Sequence, residues 1–167
     1  MRTPPLSLRN HQQAELEYLR AHRRSLLLSE VGTGKTPVLL QYALDFIDRG
    51  EQVLWLTETG LTRQLLVEAR LWLPATAQPV QLHRSGPDTP FIVSSHHLIR
   101  SRIQQLEWLI PKAVIVDEAG VLGCGEDPHS PLYEAVSDMI GRADSSVLAT
   151  ATPVRTAHAL DLFALME

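Results

Sequence analysis

Lys35 and Asp117 are the residues whose types and settings point most directly to chemistry. Lys35 sits in the run Ser29-Glu30-Val31-Gly32-Thr33-Gly34-Lys35-Thr36, and Asp117 with Glu118 closes the run Val114-Ile115-Val116 far downstream. In the first run, Gly32, Thr33 and Gly34 let backbone N–H groups turn inward around phosphates, and a helix starting near Lys35 would add partial positive charge. Lys35 would bridge the β- and γ-phosphates of a nucleotide such as ATP, and the Thr36 hydroxyl would bind Mg²⁺. In the second, Asp117 would orient Mg²⁺ through water, while Glu118 would position or deprotonate an attacking water. Lys35, Asp117 and Glu118 are therefore the candidate catalytic residues. Each run has a plainer reading: a Gly-rich turn with an exposed lysine, and a turn or helix cap carrying two acids. It is their joint presence, each after a β-favouring run, that favours a triphosphate site. The strict phosphate-loop pattern wants glycine where Ser29 stands.

These residues need elements to hold them, and the chain alternates strand-like with helix-like segments. Ser25 to Leu28, Val53 to Leu56, Phe91 to Val93, Ala113 to Val116 and Ser146 to Ala149 are short apolar runs, as expected of strands buried on both faces. Helical spacing predicts helices over Gln13–Leu19, Pro37–Phe46, Leu61–Leu73, Ile99–Ile110, Pro131–Ile140 and Ala157–Met166. Pro74 to Pro90 and Gly120 to Pro131 read as loops within one domain. The alternation argues for an α/β fold, a parallel β-sheet with helices on both faces. Such sheets bind ligands beyond the carboxyl ends of their strands, where both motifs would lie.

Composition narrows the class. At 167 residues, with 44% hydrophobic and 20% charged side chains, the chain suits one ordinary globular domain. A net charge of −4 gives no overall positive field to favour nucleic acid, though it leaves room for a local basic groove. Its one cysteine, Cys124, excludes an internal disulfide, and metal-ligand spacing is absent. Met1-Arg2-Thr3-Pro4-Pro5 lacks the apolar run of a signal peptide and no stretch is long enough to span a bilayer, so a cytoplasmic protein without a membrane partner is expected.

The order of the motifs resembles the first RecA-like lobe of superfamily 2 helicases, with most similarity to the Swi/Snf-like DNA translocases. The resemblance runs from about Leu8 to the C-terminus. Leu8-Arg9-Asn10-His11-Gln12 is similar to the family's opening motif, which implies that Gln12 recognises adenine. Asp117-Glu118-Ala119 is similar to the start of the DEAH box, and this branch tolerates a non-glycine residue where Ser29 stands. Thr57 to Gln64 and Ser94-Ser95 resemble segments that touch the nucleic-acid backbone; Thr57, Arg63, Ser94 and Arg100 are the implied contacts. Thr150-Ala151-Thr152-Pro153 resembles the motif that links hydrolysis to movement, which assigns coupling to Thr150 and Thr152. The resemblance implies a single RecA-like P-loop domain, ATP and Mg²⁺ as ligands, and double-stranded DNA as partner. It also implies a second RecA-like lobe, absent from residues 1–167 and supplied by further sequence or a partner protein, carrying arginines for the transition state. Gly120 stands where the box has histidine, and Val121-Leu122-Gly123-Cys124 replace the basic residues expected next. Both departures put coupling to nucleic acid in question.

Other residues read more plainly. His96-His97 are expected at the surface or in a loop, since adjacent histidines on a strand point opposite ways. Arg20, His22, Arg23 and Arg24 suit a solvated helix end, and Trp55, Trp72 and Trp108 the core. A rival from another class is a non-enzymatic nucleotide-binding or regulatory module that docks on another protein. A P-loop kinase or transferase is disfavoured, because no acceptor motif or lid is visible.

Overall fold

The apolar runs become the strands of one six-stranded parallel sheet, ordered β1-β6-β5-β2-β4-β3. They are β1 (Arg24–Leu28), β2 (Val53–Thr57), β3 (Val80–Gln81), β4 (Phe91–Ser95), β5 (Ala113–Asp117) and β6 (Ser145–Thr150). The structure is a computed structural model, and it describes residues 7–30, 32–122 and 130–151. Its helices are α1 (Asn10–Ala21), α2 (Lys35–Ile47), α3 (Thr62–Trp72), α4 (His96–Arg102) and α5 (Pro131–Arg142). The helix expected over Ala157–Met166 lies outside the described residues.

Strand parity sorts the core into two layers. Val53, Trp55, Phe91, Val93, Ala113 and Ile115 pack with buried residues of α1, α2 and α3. Leu54, Leu56, Ile92, Val114, Val116 and Leu148 pack with α4 and α5. Successive strand side chains point to opposite faces, so a strand covered on both sides must be apolar throughout. The path from β1 through β2 to β3 thus places α2 and α3 on one face. The return from β4 through β5 to β6 places α4 and α5 on the other. Where direction reverses, the carboxyl ends of the strands open a crevice.

Two expectations change. The spacing over Ile99–Ile110 does not make one helix: α4 ends at Arg102, and a single 3₁₀ turn covers Ile103–Gln105. Arg142 explains how the chain then turns without orphaning its carbonyls, since its Nη1 donates to Leu106 O at 2.8 Å and Leu109 O at 3.3 Å. The loop over Pro74 to Pro90 contains a strand too short to read from sequence, β3, which pairs Val80 with Ile92 and Gln81 with Val93. Of the tryptophans, only Trp55 is fully buried; Trp72 and Trp108 are half-buried at the margins of the core.

Replacing Arg142 by Ala should lower unfolding stability by about 1–3 kcal/mol, because two carbonyls lose a charged donor. Urea denaturation measures this, and a change within about 0.3 kcal/mol would show that the carbonyls do not need it.

Candidate nucleotide site

Because all strands run the same way, Leu28, Thr57, Ser95, Asp117 and Thr150 end at one edge of the sheet. The loop after β1 and the acids after β5 lie there, two strand spacings apart with β6 between them, a gap of about 10 Å. Along that edge is a cleft of about 610 Å³, lined among others by Lys35, Thr36, Thr57, Glu68, Asp117 and Glu118.

The loop is shaped by its glycines and by a glutamine behind it. Gly32 and Gly34 have φ of 83° and 84°, in the left-handed region that suits a residue without a Cβ. At Gly34 a second constraint applies, since a Cβ there would lie 2.5 Å from Gln12 Nε2. Gln12, 5% exposed on α1, donates from Nε2 to Gly34 O at 3.0 Å and, more weakly, to Thr33 O at 3.4 Å. Its Oε1 accepts from Arg9 N at 2.8 Å, and Ser29 is tied by its hydroxyl to Glu15 at 3.0 Å. Both ends of the carboxamide expected at adenine are therefore engaged within the chain, bracing the loop. Val31 lies outside the described residues.

Lys35 opens α2, whose first N–H groups have no helical partner and face the cleft end of the helix. Its Nζ donates to Ser29 O at 2.9 Å and Glu30 O at 3.5 Å, so the cation is folded back on its own loop. Its charge nevertheless favours the ionised form of Asp117, and both residues line the same cleft.

Asp117 is held at some electrostatic cost. Burial pushes its carboxyl up to about 6, and repulsion from Glu118 adds to this; the Glu118 N–H, 3.1 Å from Oδ1, and Lys35 pull the other way. Glu118 itself has φ 55° and ψ 43°, the one non-glycine residue with positive φ among those described. Such backbone costs roughly 1–3 kcal/mol and concentrates at functional positions. It swings the chain directly from β5 into a 3₁₀ turn over Ala119–Val121, the turn that contains Gly120.

His96 corrects the expectation that both histidines lie at the surface or in a loop. His97 is exposed, but His96 is 2% exposed at the start of α4, with its ring near the Asp117 backbone, which favours its protonated form. Burial holds it down at about 4, so it is neutral under ordinary conditions. Sequence could not find this, because the contact depends on β2 separating β4 from β5.

The residues expected against nucleic acid separate. Arg63 on α3 and Arg100 on α4 are exposed. Ser94 is 2% exposed, with its hydroxyl 3.3 Å from Ser95 O, and Thr57 is 1% exposed within the cleft. Neither hydroxyl lies on the outer surface. Thr150 is buried at the end of β6, where its carbonyl accepts from Ser29 N at 3.4 Å, a direct link between the phosphate loop and the segment expected to couple. Thr152 lies outside the described residues.

The donors suit magnesium. No group of three or more His, Cys, Asp or Glu that could hold a metal occurs among the described residues. Mg²⁺ does not need one: it keeps several waters and takes one or two protein oxygens plus phosphate oxygens, and Asp117 and Thr36 offer that hard, sparse set.

Comparison with known proteins gives the fold a context. No protein family and no curated protein matches the sequence. Solved structures do. The Sulfolobus solfataricus SWI2/SNF2 ATPase core, determined in complex with dsDNA, matches 98% of this chain with a TM-score of 0.79 at 14% identity. The Pyrococcus furiosus Hef helicase domain matches 95% with a TM-score of 0.73 at 19% identity. The chain has the fold of a helicase-like RecA lobe. It spans 36% of each of those solved chains. Among the described residues, no helix of this RecA-like lobe is long and apolar enough to cross a membrane.

The raised Asp117 carboxyl gives a pH prediction. A group whose folded pKa lies near 6 and whose ordinary value is 3.8 stabilises the fold below about pH 3.8, and that contribution is lost as pH rises through 6. Asp117→Asn should therefore melt higher than the parent above pH 6, by about 1–2 kcal/mol after allowing for the open cleft, and converge with it toward pH 4. His96 titrates in both proteins, so the difference isolates the carboxyl. Parallel melting curves across pH 4 to 8 would show that Asp117 is not strained by burial.

Proposed function

We propose that the chain is the ATP-binding lobe of a Swi/Snf-like, DNA-dependent ATPase, completed by a second RecA-like lobe. The observation that carries this reading is that Lys35 and Asp117 line one cleft at the carboxyl edge of the sheet, the loop before Lys35 following β1 and Asp117 ending β5, with β6 between those strands. The loop of Gly32, Thr33 and Gly34 presents its amides and the α2 N-terminus to the triphosphate. Lys35 exchanges the carbonyls of Ser29 and Glu30 for phosphate oxygens, a stronger, charge-assisted pairing. Thr36 and Asp117 hold the metal, which when bound neutralises the charge developing between the β- and γ-phosphates. Glu118, set by its left-handed backbone at the mouth of the site, orients the attacking water and takes its proton at the carboxylate.

Double-stranded DNA is assigned to the same edge, against the exposed Arg63 and Arg100. The Sulfolobus SWI2/SNF2 ATPase core, which shares the fold, was determined with dsDNA, and this supports duplex DNA as the partner. Thr150, bonded to the Ser29 amide, gives the DNA-side segment a path to the phosphate loop. Transition-state arginines are assigned to the second lobe, and such an arginine is worth about 10³ to 10⁵ in rate. Residues 1–167 alone should hold ATP weakly and cleave it slowly.

The rival, a module that binds nucleotide without cleaving it, draws on Gly120 in place of the DEAH histidine. ATPase rates with and without duplex DNA, with a matching second lobe added, separate the two. The motor reading expects DNA-stimulated turnover; turnover that stays absent favours the module. Lys35→Ala should abolish Mg-ATP binding while leaving the melting curve cooperative, and retained affinity would remove the phosphate-loop assignment. Glu118→Gln should keep nucleotide affinity and lower hydrolysis by at least about 10²-fold; an undiminished rate would exclude that carboxylate from the chemistry.

A further inference from the structure

Four buried side-chain atoms find no hydrogen-bond partner among the described residues: Trp55 Nε1, Thr57 Oγ1, His96 Nε2 and Ser146 Oγ. Of their residues, only Thr57 lines the nucleotide cleft. It ends β2, one position beyond the last paired residues Leu56 and Val116, so the ladder sets it beside Asp117. On its other flank it pairs with Ser95 of β4, whose hydroxyl is committed to capping α4 through Leu98 N at 3.2 Å. By strand parity Thr57 shares the face of Val53 and Trp55, the face that α2 covers.

A hydroxyl both donates and accepts, and one withdrawn from water without a partner opposes folding. Burying it at the wall of a cleft that also carries Lys35, Asp117 and Glu118 makes sense if the partner arrives with a ligand. We infer that Thr57 is a positioning residue of the nucleotide site, its hydroxyl bonding a phosphate or water oxygen held between Lys35 and Asp117. It therefore acts on nucleotide and not, as its place in the sequence suggests, on the nucleic-acid backbone. The inference rests on the nucleotide reading given above.

Thr57→Val replaces the hydroxyl by a methyl group of the same shape, and Thr57→Ser keeps the hydroxyl. The measurements are melting temperature without nucleotide and affinity for ATP and ADP, each with and without Mg²⁺. The valine variant should melt at or above the parent, since an unsatisfied group has been removed, yet bind Mg-ATP about tenfold more weakly. The serine variant should bind within about threefold of the parent. A loss confined to ATP identifies a γ-phosphate oxygen as the partner; a loss with both nucleotides that needs Mg²⁺ identifies a metal-bound water. A valine variant that binds like the parent, or that melts lower, overturns the inference, the second because the hydroxyl then has a partner inside the fold. If the parent itself binds no Mg-ATP, the nucleotide reading fails and this inference falls with it.

Discussion

β6 holds the Lys35 loop and the Asp117 carboxylate apart, and the rest of the site follows from that spacing. The ends of β1 and β5 stand two strand spacings apart, about 10 Å, so the loop after one strand and the acids after the other leave a cleft between them that both line. Lys35 meanwhile occupies itself with its own loop carbonyls.

Several groups around that gap are held in states that burial disfavours. Asp117 is forced toward its neutral form, Thr57 has a buried hydroxyl without a partner, and Glu118 sits in a left-handed backbone. His96 is buried near the Asp117 backbone with one ring nitrogen unmatched. These four lie at the carboxyl ends of β2, β4 and β5; Trp55 Nε1 and Ser146 Oγ, also without partners among the described residues, lie elsewhere along their strands. Local inconsistency of this kind, inside an otherwise self-consistent fold, marks functional positions. A cation between the walls would relieve the largest of these costs, since it restores the ionised form of Asp117.

Much of this was legible in the amino-acid sequence, for physical reasons. Strands covered on both faces cannot alternate, so Val53 to Leu56 and Ala113 to Val116 announced themselves as continuous apolar runs, and the parallel sheet followed. Gly32, Gly34 and Lys35 were legible because few backbones need that spacing. What was hidden depends on neighbours distant in sequence. β3 is two residues long and gains its identity only from β4. The periodic residues past Arg102 looked helical because the donor that satisfies their non-helical carbonyls, Arg142, lies 36 positions from Leu106 and 33 from Leu109 in the chain. Thr57 and Ser94 looked alike as polar residues closing strands, yet parity separates them: Thr57 follows Val53 and Trp55 onto the cleft face, while Ser94 follows Ile92 onto the other. That signal was present in the sequence but needs the strand register to be decoded.

The central claim is that Lys35 and Asp117 face each other to hold a magnesium-bound triphosphate between them. A crystal structure of this chain with Mg²⁺ and a non-cleavable ATP analogue tests it most directly. The account predicts that Lys35 leaves the Ser29 carbonyl for a phosphate oxygen, with the metal on the Asp117 side of the cleft. A nucleotide bound elsewhere, or a lysine still folded on its loop beside a vacant cleft, would contradict it.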